Sequence, residues 1–373
     1  MSKVIRVLHI CGSITPDGGI GTFLMNYYRN INREKIQFDF LTHNDTDKNL
    51  VKEINDLGGQ VYKITPKSQN LFQNIKETFT YINSKSPHQI IQVHTASTTS
   101  FLYLLVAKLA GKKIRIVHSH GTDLEKPKES FQHRIHNLLR PLLLLTATDL
   151  FACSKAAGEW LYGVKHAGKT KVINNAIVAS RFIYSEKKSQ EMKKALNLED
   201  RYIVGNIGRF SYPKNHHYLI DIFYELTKIN ANVTLLLIGA GELVDEIKQK
   251  VNELQLNEYV RFLGTRKDIP ELLSAMDIFL LPSKFEGLPL VLIESQAAGV
   301  KIFASNIITE EVEITDLVTR LSLDDSPKCW AERIAGTLKY DRRDTHKDII
   351  ESGYDIHSNA KWLEEFYAVA LRR

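Results

Sequence analysis

The feature that most constrains the fold is a repeated alternation of short apolar runs with stretches of helical periodicity. Residues 4–10 form an apolar run of strand length, and a loop and the helical pattern Phe23–Ile31 follow. Five further runs of the same kind occur in the first half of the chain, at Phe38–Leu41, Gln60–Ile64, Ile90–His94, Ile114–His118 and Asp149–Cys153. Alternating βα units predict a parallel, doubly wound α/β sheet.

A second series of strand-like runs begins after the polar segment Ser185–Glu191. Its members are nearly continuous in apolar character, as burial on both faces of a sheet requires, and lie at Tyr202–Gly208, Val233–Gly239, Val260–Gly264, Ile278–Pro282 and Lys301–Ser305. We therefore predict two Rossmann-like domains, residues 1–177 and 190–345, which face a cleft. The amphipathic pattern near the C-terminus predicts that residues 346–373 return to the first domain.

Composition narrows the class of protein. A chain of 373 residues is long enough for two domains, and its three cysteines, Cys11, Cys153 and Cys329, lack the spacing of a zinc site or disulfide framework. No apolar run approaches the ~18–20 residues of a membrane span, and no signal-peptide pattern opens the chain. A cytoplasmic location is expected, including the inner face of the plasma membrane.

Charge is distributed unevenly along the chain. The formal net charge is +6, with +10 in residues 1–177 and −4 in the remainder. This asymmetry predicts that the first half faces an anionic partner, with a membrane surface, a lipid diphosphate and nucleic acid as candidates. A solvated surface without a partner explains the charge about equally well.

The sharpest motif lies in the second half, at Phe285–Glu294. Glu286 follows a predicted strand, and Glu294 falls two turns into a predicted helix that begins near Leu290. A loop carboxylate can accept hydrogen bonds from sugar hydroxyls, the helical one can reach ribose hydroxyls, and the free N–H groups of Leu290 and Val291 suit a phosphate. The alternative is a solvated loop glutamate followed by one on a helix surface.

The whole string from Pro282 to Gly299 resembles the Glu-x7-Glu signature of glycosyltransferase family 4, whose members are retaining enzymes of the GT-B fold. The resemblance implies that Glu286 contacts the donor sugar and Glu294 the ribose. It also implies donor contacts along the turn between them, at Gly287, Leu288, Pro289, Leu290 and Val291.

A second string, Asn206–His216, resembles the basic donor site of the same family. By that resemblance, Arg209 and Lys214 hold the donor diphosphate. The chemistry is reasonable without the family, because a departing nucleoside diphosphate needs a cation where no metal is bound. Two ordinary surface cations are the alternative. Arg266, in the family-like string Gly264–Leu272, is also assigned to the donor site.

Two motifs in the first half complete the predicted site. Gly18 and Gly19 belong to a loop that resembles the family's glycine-rich loop before the first helix. Glycines there permit close backbone approach of a ligand. Val117–Thr122 is similar to the family's active-site histidine region, which assigns the donor-sugar contact to His120. His118 makes a His-x-His pair with it, but no third zinc ligand is evident in the sequence, so no metal site is predicted.

Two other patterns favour different enzymes and are set aside. Asp45 and Asp47 form an Asp-x-Asp of the kind that holds manganese in GT-A transferases, yet they lie in a polar segment that a solvated loop explains better. Gly239–Val244 begins like a dinucleotide-binding motif, but Val244 stands where its third glycine is required.

Within family 4, the chain is most similar to capsular and exopolysaccharide enzymes of the EpsF type, through Arg115–His120 and Leu317–Leu323 among other strings. It departs from many members at Asn174–Ile177, where Ala176 replaces a glycine. The resemblance implies a metal-independent transferase without a cofactor, which moves a sugar from a nucleotide sugar, expected to be a UDP-sugar, to a lipid-linked or oligosaccharide acceptor. It implies no nucleic acid partner.

Two other functions remain open at this point. A nucleotide-sugar epimerase can use the same architecture, and a non-catalytic partner subunit can keep the fold. A non-catalytic subunit would be expected to lose some of the predicted site residues. All five are present, which argues against that function: His120, Arg209, Lys214, Glu286 and Glu294.

One segment suggests membrane contact. Residues 131–145 mix cations with an apolar stripe and, with Lys108, Lys112, Lys113, Lys126 and Lys128, would form an interfacial patch for a lipid-linked acceptor. Pro141 is expected to interrupt the pattern. A helix packed into the first domain is an equally good interpretation.

Overall fold

The computed structural model describes residues 4–16, 18–84, 87–123 and 130–373. Lys126 and Lys128 of the predicted patch lie outside these ranges. The chain divides into two compact units, one of Met1–Ala176 with Ile356–Arg373 and one of Ile177–Asp355. Each unit is an α/β domain around a parallel sheet, as the alternation of runs predicts.

The first unit is built on seven described strands in the order β3-β2-β1-β4-β5-β6-β7, all parallel. The strands are β1 (Ile5–Cys11), β2 (Ile36–Thr42), β3 (Val61–Lys63), β4 (Ile90–Thr95), β5 (Ile114–Ser119), β6 (Asp149–Ala152) and β7 (Thr170–Val172). The helices between them are α1 (Gly19–Asn30), α2 (Lys48–Asp56), α3 (Leu71–Asn83), α4 (Phe101–Leu109), α5 (Phe131–Thr146) and α6 (Lys155–Tyr162).

The second unit repeats the architecture with six described strands in the order β10-β9-β8-β11-β12-β13. They are β8 (Tyr202–Ile207), β9 (Val233–Ile238), β10 (Val260–Gly264), β11 (Ile278–Leu281), β12 (Lys301–Ser305) and β13 (Val318–Leu321). Its helices are α7 (Glu186–Ala195), α8 (His216–Ile229), α9 (Val244–Glu253), α10 (Ile269–Ala275), α11 (Leu290–Ala297), α12 (Pro327–Ala335) and α13 (His346–Glu351). Apolar side chains from both faces of this sheet fill two buried clusters.

The closing helix α14 (Ile356–Ala370) belongs to the first unit. The Tyr367 hydroxyl donates to Gln92 Oε1 at 2.7 Å, and the Phe366 ring lies against Phe151 with centroids 4.9 Å apart. The chain thus returns to the first domain at residue 356 rather than at 346, because α13 belongs to the second unit. The second unit also begins at Ile177, so it includes the residues between the two predicted domains and the whole of α7.

The two faces of the first sheet differ in chemistry. One face carries apolar side chains such as Leu8, Ile91 and Val117, which pack into a buried cluster under α3, α4 and α6. On the other face the strand register sets His94 beside His118. Polar groups on that face are buried beneath aromatic side chains of α1 and α14. A buried polar layer of this kind requires internal hydrogen bonds.

Pro141 does not interrupt its segment as expected, because α5 runs unbroken from Phe131 to Thr146 with the proline inside it. One face of α5 is buried through His133, His136 and Leu143. Among the described residues, every helix is too short or too polar to cross a membrane.

Candidate functional site

The strand order of the second unit reverses at β8, which has β9 on one side and β11 on the other. Ligands of open α/β sheets bind beyond the carboxyl ends of the strands at such a point. Lys214 lies in the turn after β8, and Glu286 lies in the loop after β11. Their side chains meet, with Lys214 Nζ 2.7 Å from Glu286 Oε1. The structure therefore brings together two predicted site residues that are 72 positions apart.

The Glu286 carboxylate is held on one side only. Its Oε1 atom accepts hydrogen bonds from Lys214 Nζ and from the Ser283 hydroxyl, each at 2.7 Å. Its side chain is 10% exposed and that of Lys214 is 20% exposed. Because both bonds end on Oε1, Oε2 can accept a hydroxyl, and the ammonium keeps two further N–H donors for an anion.

Asn215 explains how the turn after β8 is held beside the loop after β11. Its backbone is left-handed, with φ of 57°, a conformation that asparagine tolerates better than most residues. Its side-chain amide donates to Pro282 O at 3.0 Å, and Lys284 N donates to Pro213 O at 2.7 Å. We assigned no role to Asn215 or to Ser283 from the sequence, although asparagine after the predicted cation is a signal for such a turn.

The glycines that begin like a dinucleotide motif have a packing role. A Cβ atom at Gly239, where φ is +140°, would lie 2.0 Å from Gly208 O. A Cβ at Gly241 would lie 2.4 Å from Phe210 O. The loop after β9 therefore packs its backbone directly on the loop after β8, which carries Arg209 and Lys214.

The two predicted donor-site arginines have carboxylate partners of their own. Arg209, whose side chain is 73% exposed, pairs with Glu242 at 3.2 Å. Arg266 follows β10 and makes a two-pronged ion pair with Asp268. The structure thus joins Lys214 to the glutamate motif and pairs both arginines elsewhere. An exposed pair such as Arg209–Glu242 contributes little and can open at small cost.

The rest of the glutamate motif forms the start of α11. Pro289 is the N-cap residue, and the backbone N–H groups of Leu290 and Val291 lie in the first turn, where helix N–H groups are free for an anion. Gly287 and Leu288 lie in the loop before it. Glu294, further along α11, is half-buried, and desolvation raises its pKa to about 7, partly offset by the positive charge of Arg181. A carboxylate in this state gains from ligand hydroxyls.

In the first unit, His120 follows β5 and belongs to a row of hydrogen-bonded imidazoles. Its Nε2 atom is 2.8 Å from His94 Nδ1, and His94 Nε2 is 2.9 Å from His9 Nδ1. Desolvation lowers the pKa of both His9 and His120 to about 3, so these rings are neutral near pH 7. The ring of Phe23 on α1 contacts the His120 ring edge-on, with centroids 5.1 Å apart.

The expectation that His118 and His120 lack a third metal-ligating neighbour was wrong. His94 supplies one, since ligand atoms of His94, His118 and His120 lie within 4.8 Å of one another. Sequence inspection missed it because His94 ends a different strand, 26 residues earlier. The geometry favours hydrogen bonding over metal binding, because His94 Nδ1 and His120 Nε2 lie at the hydrogen-bonding distance of 2.8 Å and the His118 and His120 rings stack at 4.2 Å.

The glycine-rich loop leads directly into α1. Gly18 is the N-cap residue of α1, and Gly19 is its first residue, with open space where a Cβ would stand. A Cβ at Gly21 would lie 2.4 Å from Thr15 O, so this glycine is required for the loop to pass over the helix. The open position of Gly19 is the one available to a ligand.

The Asp-x-Asp pair is structural in the first unit. The Asp47 side chain caps α2, accepting from Asn49 N at 2.9 Å and Leu50 N at 3.1 Å. Asp45 pairs with Lys63. A helix cap and an ion pair account for both carboxylates.

Comparison with known proteins agrees with this geometry. Residues 17–181 match the family described as Glycosyltransferase Family 4, and residues 187–356 match the one described as Glycosyl transferases group 1. The two matches fall on the first and second units. A Bacillus subtilis protein named as glycosyltransferase EpsF is 34% identical over 377 residues, covering 99% of this chain and 97% of that protein.

One further relative and one solved structure extend the comparison. An Escherichia coli UDP-Gal:alpha-D-GlcNAc-diphosphoundecaprenol alpha-1,3-galactosyltransferase is 27% identical over 229 residues, covering 60% of this chain and 59% of that one. The solved structure of Anabaena Alr3699/HepE in complex with UDP has a TM-score of 0.71 at 21% identity, covering 96% of this chain and 94% of that chain. With two doubly wound sheets, the Lys214–Glu286 pair and these matches, the chain belongs to glycosyltransferase family 4 and has the GT-B fold.

Proposed function

We propose that this glycosyltransferase takes a hexose from a UDP-sugar, retains its anomeric configuration, and adds it without a metal ion to a lipid-linked acceptor in exopolysaccharide or capsule synthesis. The observation that carries the proposal is the Lys214–Glu286 pair at the strand reversal of the second unit. In this pair, Lys214 offers a cation for a diphosphate, and the adjacent Glu286 offers a carboxylate oxygen for a sugar hydroxyl.

Each unit has a distinct part in the proposed reaction. In the second unit Lys214 binds the diphosphate, assisted by Arg209 once its exposed pair with Glu242 opens. The N–H groups at the start of α11 bind phosphate oxygens, and Glu294 binds the ribose. In the first unit His120 contacts the donor sugar, and the Gly18–Gly19 loop leaves room for the ligand.

Charge development during the reaction explains the cations. As the glycosidic bond breaks, negative charge grows on the departing diphosphate, and a fixed ammonium stabilises that charge more in the transition state than in the ground state. The acceptor hydroxyl attacks from the side of the leaving group and gives its proton to a donor phosphate oxygen. This route needs no carboxylate nucleophile on the sugar's far face.

The donor and acceptor classes rest on relatives. HepE was crystallised with UDP, and the Escherichia coli relative is named for a UDP-galactose donor and a diphosphoundecaprenol acceptor. A Staphylococcus aureus protein named capsular polysaccharide biosynthesis glycosyltransferase CapH is 24% identical over 373 residues, covering 98% of this chain and 99% of that protein. Together with EpsF, it supports the exopolysaccharide or capsule assignment.

An exposed apolar surface on the first unit supports the proposal of a lipid-linked acceptor. Phe131, Leu138, Leu142 and Leu145 stand on one face of α5 and are 43–75% exposed. Leu109 on the neighbouring α4 is 71% exposed, and Lys108 and Lys113, which are close to it in the sequence, are exposed as well. Exposed apolar side chains bordered by cations suit the surface of an anionic membrane.

Co-sedimentation with anionic liposomes at low salt tests the membrane contact. The wild-type protein is expected to sediment with the liposomes, and the double variant Leu138→Glu, Leu145→Glu to stay in solution. Phe72→Glu is the matched control, because Phe72 is 80% exposed but lies on α3 and not on α5. Equal sedimentation of both variants, or no wild-type binding, would remove the membrane contact.

A donor panel with a lipid-diphosphate acceptor tests the reaction itself. Transfer is expected from one UDP-sugar in the presence of EDTA, with the anomeric configuration of the product matching the donor by NMR. Glu286→Ala is expected to lower kcat by about 100-fold or more. Interconversion of the donor without acceptor would instead identify an epimerase.

A further inference from the structure

The buried imidazole row of the first unit has a property beyond the contact assigned to His120. His9, His94 and His120 are joined end to end by two nitrogen–nitrogen hydrogen bonds of 2.9 and 2.8 Å. His9 is 1% exposed and His94 is 4% exposed, so water does not take part at the inner end. The remaining nitrogen of His9, Nε2, has no hydrogen-bond partner among the residues that the structure describes.

Neutral imidazole carries a single N–H, and this rule couples the three rings. Both nitrogens of His94 are engaged, so His94 must donate through one and accept through the other. If His94 donates to His120, then His9 donates to His94; if His120 donates to His94, then His94 donates to His9. The protons of the row therefore point either all outward, towards His120, or all inward, towards His9.

The surroundings of His9 decide between these two states. In the inward state an N–H at His9 Nε2 would be buried beside Phe38 and Phe40, whose ring centroids are 4.2 and 5.6 Å from that of His9. A buried N–H without an acceptor is among the rarest arrangements in proteins. In the outward state the terminal N–H is His120 Nδ1, on a half-buried ring that a ligand or water can reach.

We propose that His9 and His94 are positioning residues that hold His120 in the tautomer with the proton on Nδ1, making it a hydrogen-bond donor in the site. Desolvation supports neutrality along the row, because it lowers the pKa of His94 well below its ordinary value and that of its two partners to about 3. A neutral donor stabilises oxygen atoms of the sugar or the departing phosphate without adding an acidic proton.

His118 provides a matched control within the same cluster. Its ring stacks on His120 at a centroid distance of 4.2 Å, yet its hydrogen bond is to Gln92 Nε2 at 3.2 Å and not to the row. Replacing His118 by phenylalanine keeps the packing and leaves the row intact. Replacing His94 by phenylalanine keeps the packing and removes both hydrogen bonds of the row.

The test is the tautomer of His120 in the full-length protein labelled with ¹⁵N-histidine, read from long-range ¹H–¹⁵N correlations and assigned with His120→Gln. We expect the proton on Nδ1 in the wild type and in His118→Phe, and a mixture of tautomers in His94→Phe. A proton on Nε2 in the wild type, or an unchanged spectrum in His94→Phe, would overturn the proposal. If His94→Phe fails to fold, His9→Asn is the second variant: its amide can either accept from or donate to His94 Nε2, so it removes the penalty on the inward state and is expected to give the same mixture.

Kinetics provide a second readout. Because the row acts on the orientation of a donor hydrogen bond, His94→Phe is expected to lower kcat by about 10- to 100-fold, with a smaller change in donor KM. An effect on KM alone would contradict a positioning role. The role of His120 at the sugar rests on the proposed function, but the tautomer of His120 does not. If the spectrum is as expected and the protein has no transferase activity, the proposed function is refuted and the proposed tautomer is not.

Discussion

The two units share one architecture and present opposite chemistry at their strand ends. In the first unit the groups at the carboxyl ends of β4 and β5 are neutral imidazoles, joined by hydrogen bonds in an apolar enclosure. In the second unit the groups beyond β8 and β11 are a full ion pair. A doubly wound sheet fixes where a ligand binds, and the residues at a few strand ends decide whether it meets charges or neutral dipoles.

The largest loss of activity is expected from removing the charge of Lys214 in the second unit. Lys214→Ala removes the cation for the departing diphosphate and leaves Glu286 unpaired, and kcat for transfer is expected to fall about 100- to 1000-fold. Lys284→Ala is the matched control, because Lys284 lies on the adjoining loop and rests on the Tyr212 ring at 4.0 Å. Initial rates at saturating donor measure both. Comparable rates for Lys214→Ala and Lys284→Ala would show that the diphosphate is bound elsewhere.

Acid should affect the first unit more than the second. The pKa of His9 and that of His120 are lowered to about 3 in the folded state, so the unfolded chain binds protons there that the folded one does not. The neutral, buried imidazoles therefore stabilise the folded state above the ordinary histidine pKa near 6.5. This contribution to the free energy of unfolding is lost as pH falls from 6.5 towards 3. Hydrogen exchange at pH 7.5 and 5.5 should show protection falling mainly in β1, β4 and β5. Equal loss in both units would contradict neutral, buried imidazoles.

Glu294 should give the second unit the opposite dependence. Its pKa of about 7 exceeds that of an exposed glutamate, so the folded state holds a proton that the unfolded state releases, and stability declines as pH rises from about 4.5 to 7. Ribose hydroxyls donate to the ionised form, and UDP binding is therefore expected to tighten about 3- to 10-fold between pH 6 and 8. Calorimetric titration measures this, and Glu294→Gln should flatten the profile. A pH-dependent slope that persists in Glu294→Gln would assign the titration to another group.

The smallest expected effect concerns the Asp-x-Asp pair of the first unit. Asp47→Ala removes the cap of α2 and should lower the free energy of unfolding by about 1 kcal/mol, with no change in transfer rate. Denaturant titration and initial rates measure the two quantities. A large loss of activity with unchanged stability would mean that Asp47 acts on a metal or substrate.

Sequence reasoning reached the parts of the molecule that depend on local pattern. Burial on both faces makes parallel strands nearly continuous apolar runs, so both sheets were predictable apart from the short edge strands β7 and β13, whose residues are only partly buried. Lys214 and Glu286 were each predictable as site residues because each follows the end of a predicted strand. Their contact depends on β8 lying beside β11, a pairing between distant segments that periodicity does not encode.

The missed residues share the same cause. His94 lies near the end of β4 and faces His120 only because β4 pairs with β5 in a given register. Asn215 and Ser283 act through backbone and side-chain bonds across two loops. Pro141 was misread because a proline disfavours a helix without always ending it: Pro141 lies on the exposed side of α5, and burial of another face stabilises the helix against the lost hydrogen bond and the ring clash.

UDP binding in EDTA, compared between the wild type and Lys214→Ala by calorimetric titration, tests most directly whether a fixed ammonium replaces a metal ion. We expect the wild type to bind UDP unchanged by the chelator and Lys214→Ala to bind about 10- to 100-fold more weakly, as expected for loss of a charge-assisted contact. Binding that disappears in EDTA, or equal affinities for the two proteins, would contradict the account.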